Sequence, residues 1–164
     1  METFQTLLQK DDPAEATLVI SLDHQQRRRS RLRVVLPSGE AVGLALPRGI
    51  ALKDGDRLRS EPSGTVARVR AAPEHVSVVE TGNPHLLARA AYHLGNRHVA
   101  LAVEPGRLIY PHDHVLDGLC RELGLGVATQ LLPFEPEGGG YSGEHGHSAR
   151  EGISAPPARS DHAR

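Results

Sequence analysis

The chain has a single cysteine, Cys120, one methionine and no tryptophan in 164 residues. One cysteine excludes an internal disulfide and any multi-cysteine zinc or iron–sulfur site. Aromatic residues make up 3% of the chain and hydrophobic residues 38%, so each core must be small and built mainly from Leu, Val, Ala and Ile. Small cores are marginal and gain from oligomerisation. No apolar run is long enough to span a bilayer. The opening METFQTLLQKDDPAEA has neither the basic start nor the apolar stretch of a secretory signal. The expectation is a soluble cytoplasmic protein. A net charge of −1 gives no general pull toward nucleic acid or membrane. The exception is local: Arg27, Arg28, Arg29, Arg31 and Arg33 crowd one stretch. A solvated hairpin loop explains such a run, and a docking surface for an acidic partner is the alternative. Base-stacking aromatics are absent nearby, which weakens nucleic-acid binding.

Histidine, in contrast, is plentiful. Four of the chain's ten histidines, His93, His98, His112 and His114, fall between Tyr92 and His114. Neutral imidazole is the commonest metal ligand and suits nickel, copper and zinc.

Residues 1 to 73 read as a small all-β domain. Thr17–Leu22, Leu32–Leu36, Ala41–Leu46, Arg57–Arg59 and Thr65–Arg70 are short β-rich runs. Turn signals such as Pro37-Ser38-Gly39 and Asp54-Gly55 separate them. After Ala71-Ala72-Pro73 the pattern alternates. His75–Glu80 reads as a strand, and Asn83-Pro84 as a helix start. Leu86, Leu87, Ala90, Ala91 and Leu94 recur at helical spacing, with Gly95 as the expected C-cap. Val99–Val103 and Arg107–Tyr110 flank Pro105-Gly106 as a hairpin. Val115, Leu116, Leu119, Cys120 and Leu123 mark a second helix closed by Gly124, and Val127–Leu132 is the last strand. The order β-α-β-β-α-β over 74–136 predicts a ferredoxin-like domain, which makes the whole chain α+β. Residues 137–164 are rich in Gly, Ser, Pro and charge without periodicity, and read as a flexible tail.

Each histidine has an ordinary explanation beside the metal one. His98 sits in a turn, where a lone histidine is usually just exposed. His112 and His114 flank Asp113, which reads as a helix N-cap. They reach one ion only if His112 precedes the helix in extended backbone. His93 falls in the last turn of a helix, where capping or packing outweighs ligation. His145 and His147 form a short His-Gly-His chelating pair in the tail. Cys120 lies on the apolar stripe of the second helix and reads as a structural thiol. One chain supplies no fixed third and fourth ligand, which suits an exchangeable site completed by a second subunit or by the tail. A metallohydrolase would need a general base beside an open metal position, and none is evident. An RNA-binding module of this strand order would carry stacking aromatics on Val99–Val103 and Val127–Leu132, and these strands have none.

The runs Tyr92-His93-Leu94-Gly95-Asn96-Arg97-His98 and Tyr110-Pro111-His112-Asp113-His114-Val115-Leu116, with Leu132-Pro133-Phe134-Glu135-Pro136, resemble the urease accessory protein UreE family of nickel metallochaperones. The resemblance implies a peptide- or partner-binding N-terminal β domain, a metal-binding and dimerisation domain, and a homodimer that donates Ni2+ during urease active-site assembly. Zn2+ or Cu2+ would compete, and a general transition-metal (Zn/Cu) binding protein is the alternative. It implies that His98 is an interfacial nickel ligand, that His112 and His114 bind additional metal, and that His145 and His147 belong to a tail of variable length. The implied partners are urease accessory proteins including the GTPase component and, through them, apo-urease. Neither nucleic acid nor membrane is implied, and no catalysis.

Overall fold

A computed structural model describes residues 1–138. It is a mixed α+β structure, mostly sheet with few helices. Among the described residues no helix is long and apolar enough to cross a membrane.

The first part of the chain packs two sheets around one core. β1 (Glu2–Phe4), β4 (Arg31–Val35) and β5 (Ala41–Ala45) form one sheet in the order β1-β5-β4. β2 (Thr6–Leu7), β3 (Leu18–Leu22), β6 (Arg57–Arg59) and β7 (Val66–Ala71) form the other, in the order β2-β6-β7-β3. The alternating apolar residues of these strands meet between the sheets. Phe4, Ile20, Leu22, Val42, Leu58 and Val69 are fully buried there. Burying a side chain of this size contributes about 1.5–3 kcal/mol, so a few such residues hold the unit. β1 and β2 are absent from the sequence expectation, because METFQTLL is too short to display a strand period.

The Arg-rich stretch departs from expectation. The capping box of Asp23 and Gln26 turns His24–Arg27 into a single helical turn, α1. Arg27 is therefore not a solvated loop residue but is only 3% exposed.

β8 (Pro73–Glu80) follows β7 with only Ala72 between them. Then come α2 (Pro84–Gly95), β9 (Ala102–Glu104), β10 (Arg107–Pro111), α3 (His114–Glu122) and β11 (Val127–Pro133). The four strands form one sheet in the order β11-β8-β10-β9, each neighbour antiparallel. Alternation along the central strands divides the apolar residues. Val79, Leu108 and Tyr110 pack under the helices with Ala90, Leu94 and Cys120. Val76, Val78 and Ile109 face the other way, onto Phe134.

Two element ends differ from the sequence reading. Gly95 is the last residue of α2, and Asn96 is the C-cap. The strand expected at Val99–Val103 begins only at Ala102, because residues 96–98 continue turning after the helix. Gly124 does stand just past the C-cap Leu123, with φ +87°, the left-handed conformation that glycine adopts without strain.

The chain returns to the first sheets after β11. Arg27 Nη1 meets Glu135 Oε1 at 2.6 Å, and its Nη2 donates to the Phe134 carbonyl. The His24 ring stands edge-on to Phe134 at 5.3 Å, and the His24 N–H donates to Glu74 Oε1 at 2.8 Å. Beyond this contact the Glu137 N–H donates to the Leu101 carbonyl at 2.8 Å.

Candidate metal centre

His98 owes its position to the end of α2. Asn83 accepts from the His85 and Leu86 N–H groups, and Pro84 opens the helix. Past Gly95 the chain makes a further turn, in which the His98 N–H donates to the Gly95 carbonyl at 2.9 Å. His98 has φ 55° and is the one non-glycine residue with positive φ among the described residues. Its side chain is exposed. A left-handed backbone costs an ordinary residue about 1–2 kcal/mol, which glycine avoids. His93 lies one turn back, edge-on to Tyr92 at 5.3 Å, and its carbonyl accepts from Arg97 Nη1 at 2.9 Å.

His112 follows β10, with its N–H donating to the His75 carbonyl at 3.1 Å. Its Nδ1 lies 3.0 Å from Ser77 Oγ, 3.4 Å from Thr129 Oγ1 and 3.4 Å from Asp117 Oδ2. A carboxylate beside Nδ1 favours the tautomer protonated there, which leaves the Nε2 lone pair free to ligate. Strand register builds this cradle, since Ser77 on β8 pairs with Thr129 on β11 and with Tyr110 on β10. Asp117 is buried in α3 and also accepts from the Tyr110 hydroxyl at 2.9 Å.

Asp113 is the N-cap of α3, in extended backbone, and accepts from the Val115 and Leu116 N–H groups at 2.8 and 3.2 Å. Those bonds, with Leu116 foremost, hold its carboxyl below the usual range. His112 thus precedes the helix while His114 is its first residue, and both are exposed.

Cys120 is buried within the second core, where burial pushes its thiol up and the Tyr110 hydroxyl lies 3.6 Å from Sγ. A buried thiol of raised pKa is a poor ligand for an exchangeable ion. Among the described residues no three His, Cys, Asp or Glu side chains are grouped to hold one ion. His98, His112 and His114 are therefore presented by one chain without closing a centre, and His145 and His147 lie outside the described residues. Sequence reasoning missed Ser77, Thr129 and Asp117. Ser77 left one signal, as the single polar residue within the apolar run of β8.

Fold and side chains together define a two-part α+β protein that displays imidazoles on its second part in place of an enclosed centre. The family description "UreE urease accessory protein, N-terminal domain" matches residues 4–72, and the corresponding C-terminal domain matches residues 74–163. The urease accessory protein UreE of Pseudomonas putida strain W619 is 53% identical over 131 residues, covering 80% of this chain and 81% of the relative. The protein of the same name from Citrobacter koseri is 50% identical over 138 residues, covering 84% and 91%. That from Escherichia coli O157:H7 is 48% identical over 139 residues, covering 84% and 90%. The chain belongs to the UreE family of urease accessory proteins.

Proposed function

We propose that this protein is a nickel-binding metallochaperone, in which a homodimer binds Ni2+ and donates it during assembly of the urease active site. The observation that carries this reading is His98. An exposed residue held in left-handed backbone is cheapest as glycine, so a histidine there points to a use for the imidazole itself. On this reading His98 and its copy in a second chain supply two ligands to one ion, close to the two-fold axis. His112 and His114 take additional metal, and His145 and His147 extend the set. Nickel is cargo here, so a site left incomplete by one chain suits binding followed by release.

Residues 74–136 form the ferredoxin-like metal-binding and dimerisation domain, a reading supported by the strand order β11-β8-β10-β9 with its helices after the first and third strands. Residues 1–73 form the partner-binding domain, which meets the GTPase component and other urease accessory proteins. Tyr92 at 65% and Val115 at 64% exposure support a covered face on the second domain. The donor set also suits zinc and copper by ligand type, so both compete with nickel in vitro.

Calorimetric titration of nickel into wild type, His98→Ala and His98→Gly tests the reading. Both variants are expected to lose the tight site. His98→Gly should keep or raise Tm, because it relieves the backbone. Unchanged tight affinity in either variant sinks the role of His98.

A further inference from the structure

Five arginines of the first domain are used by neither the metal site nor the core. Arg28, Arg29, Arg31 and Arg48 line a concavity of about 610 Å³ together with Leu46 and Pro47. Arg33 follows on the same exposed face of β4, two residues beyond Arg31. Arg48 comes from the loop after β5, so the fold adds to the sequence cluster a guanidinium from elsewhere in the chain. All five side chains are exposed. Among the described residues none of the five forms an ion pair with a carboxylate.

The backbone beside them is also unpartnered. β4 is the edge of its sheet and pairs only with β5. The Leu46 N–H donates to the Ser30 carbonyl at 2.7 Å, and the Leu36 N–H donates to the Glu40 carbonyl at 2.8 Å. In an antiparallel pair, bonding residues alternate. Residues 30, 32, 34 and 36 therefore spend their backbone groups on β5. The N–H and C=O groups of Arg31, Arg33 and Val35 point to the open edge.

We propose that this edge docks an extended acidic segment of a partner protein, which adds to β4 as a further strand and lays its carboxylates against Arg28, Arg29, Arg31, Arg33 and Arg48. Main-chain bonds to Arg31, Arg33 and Val35 supply affinity, and the arginines select acidic side chains at alternate positions. The same charges exclude a second copy of this chain, since pairing two β4 edges would set arginine against arginine. A polynucleotide is disfavoured, because the stretch from Arg28 to Arg48 contains no aromatic residue on which a base could stack. The proposal rests on the partner-binding reading of residues 1–73 and is independent of which metal the second domain carries.

The test uses the full chain at low salt and fluorescence anisotropy with three probes: a labelled peptide of alternating Glu and Val, its Lys-for-Glu counterpart, and a single-stranded oligoribonucleotide. The Glu peptide is expected to bind and the other two to bind far more weakly. Arg31→Ser with Arg33→Ser should weaken Glu-peptide binding by about tenfold or more. Val35→Pro removes one outward N–H and leaves every arginine, and should also weaken it. Amide hydrogen exchange in wild type should slow at Arg31, Arg33 and Val35 when the peptide is bound, which needs no variant to fold. Failure of the Glu peptide to bind overturns the proposal, as does RNA binding of equal strength. Arginine-dependent binding with no protection of those three amides overturns strand addition. Nickel titration of the same variants separates the two readings: lost peptide binding with intact nickel binding supports this surface and leaves the metal site untouched.

Discussion

At the residue scale, His112 is informative because its two ring nitrogens meet different surroundings. Nδ1 faces Ser77, Thr129 and Asp117, and Nε2 takes no part in these contacts. Ser77→Ala should leave the fold in place, since it removes one hydroxyl from a sheet face, but it loosens the ring. We expect weaker binding at the auxiliary site with the tight site unchanged, read as a lower late-phase stoichiometry in a nickel titration. Equal curves for wild type and Ser77→Ala would show that the cradle does not orient the ligand. The reason this cradle escapes a reading of the sequence is physical. Ser77 and Thr129 are 52 positions apart, and only the β8–β11 register sets them opposite each other. The His112-Asp113-His114 run is legible because everything it needs is local: a cap, a helix start and two flanking rings.

At the scale of elements, the contact between α1 and the chain after β11 is the joint of the molecule. Arg27 is buried there, and its Nε has no partner among the described residues. The guanidinium is held by the Phe134 carbonyl, the Leu52 carbonyl and Glu135. Arg27→Met keeps the apolar stem and removes those bonds. It should destabilise the protein by about 1–3 kcal/mol, measured by urea unfolding. A change near zero would mean that the two domains hold their arrangement without this joint.

The same joint carries a pH dependence. Burial, then Arg27 and Arg28, pull the His24 imidazole below its ordinary value. A group whose folded pKa is depressed contributes stability that is complete above its unfolded pKa, about 6.5, and fades as pH falls through the folded value. Tm should therefore drop between about pH 7 and pH 5 by more in wild type than in His24→Gln. Identical pH profiles would remove His24 from the account. Asn83, Pro84 and Gly124 were legible as helix ends because capping is local chemistry. Arg27 was misread as solvated because its partner Glu135 lies 108 positions away, and a charge run gives no sign that one of its members turns inward.

At the scale of the whole molecule, large apolar side chains stay exposed on both parts of the chain. Tyr92 and Val115 sit on α2 and α3 of the second domain and remain open to water in a single chain, as does Leu131 on β11. A small core gains from association that covers such side chains. Sedimentation equilibrium is expected to give twice the 17.7 kDa of one chain, and Val115→Asp to shift the population toward the single-chain mass. A wild type that sediments at the single-chain mass would leave an ion on His98 without its proposed second imidazole. The element order of the second domain was legible from periodicity and turns, whereas the exposure of Tyr92 and Val115 appeared only once the helices were placed on their sheet.

The bond from the Glu137 N–H to the Leu101 carbonyl has one more consequence. It pins the chain at Leu101, three positions from His98. Together with the Arg27–Glu135 pair, it fastens residues 135–137 to both parts of the chain, so a load applied beyond Glu137 is met at once by α1 and by the backbone before β9.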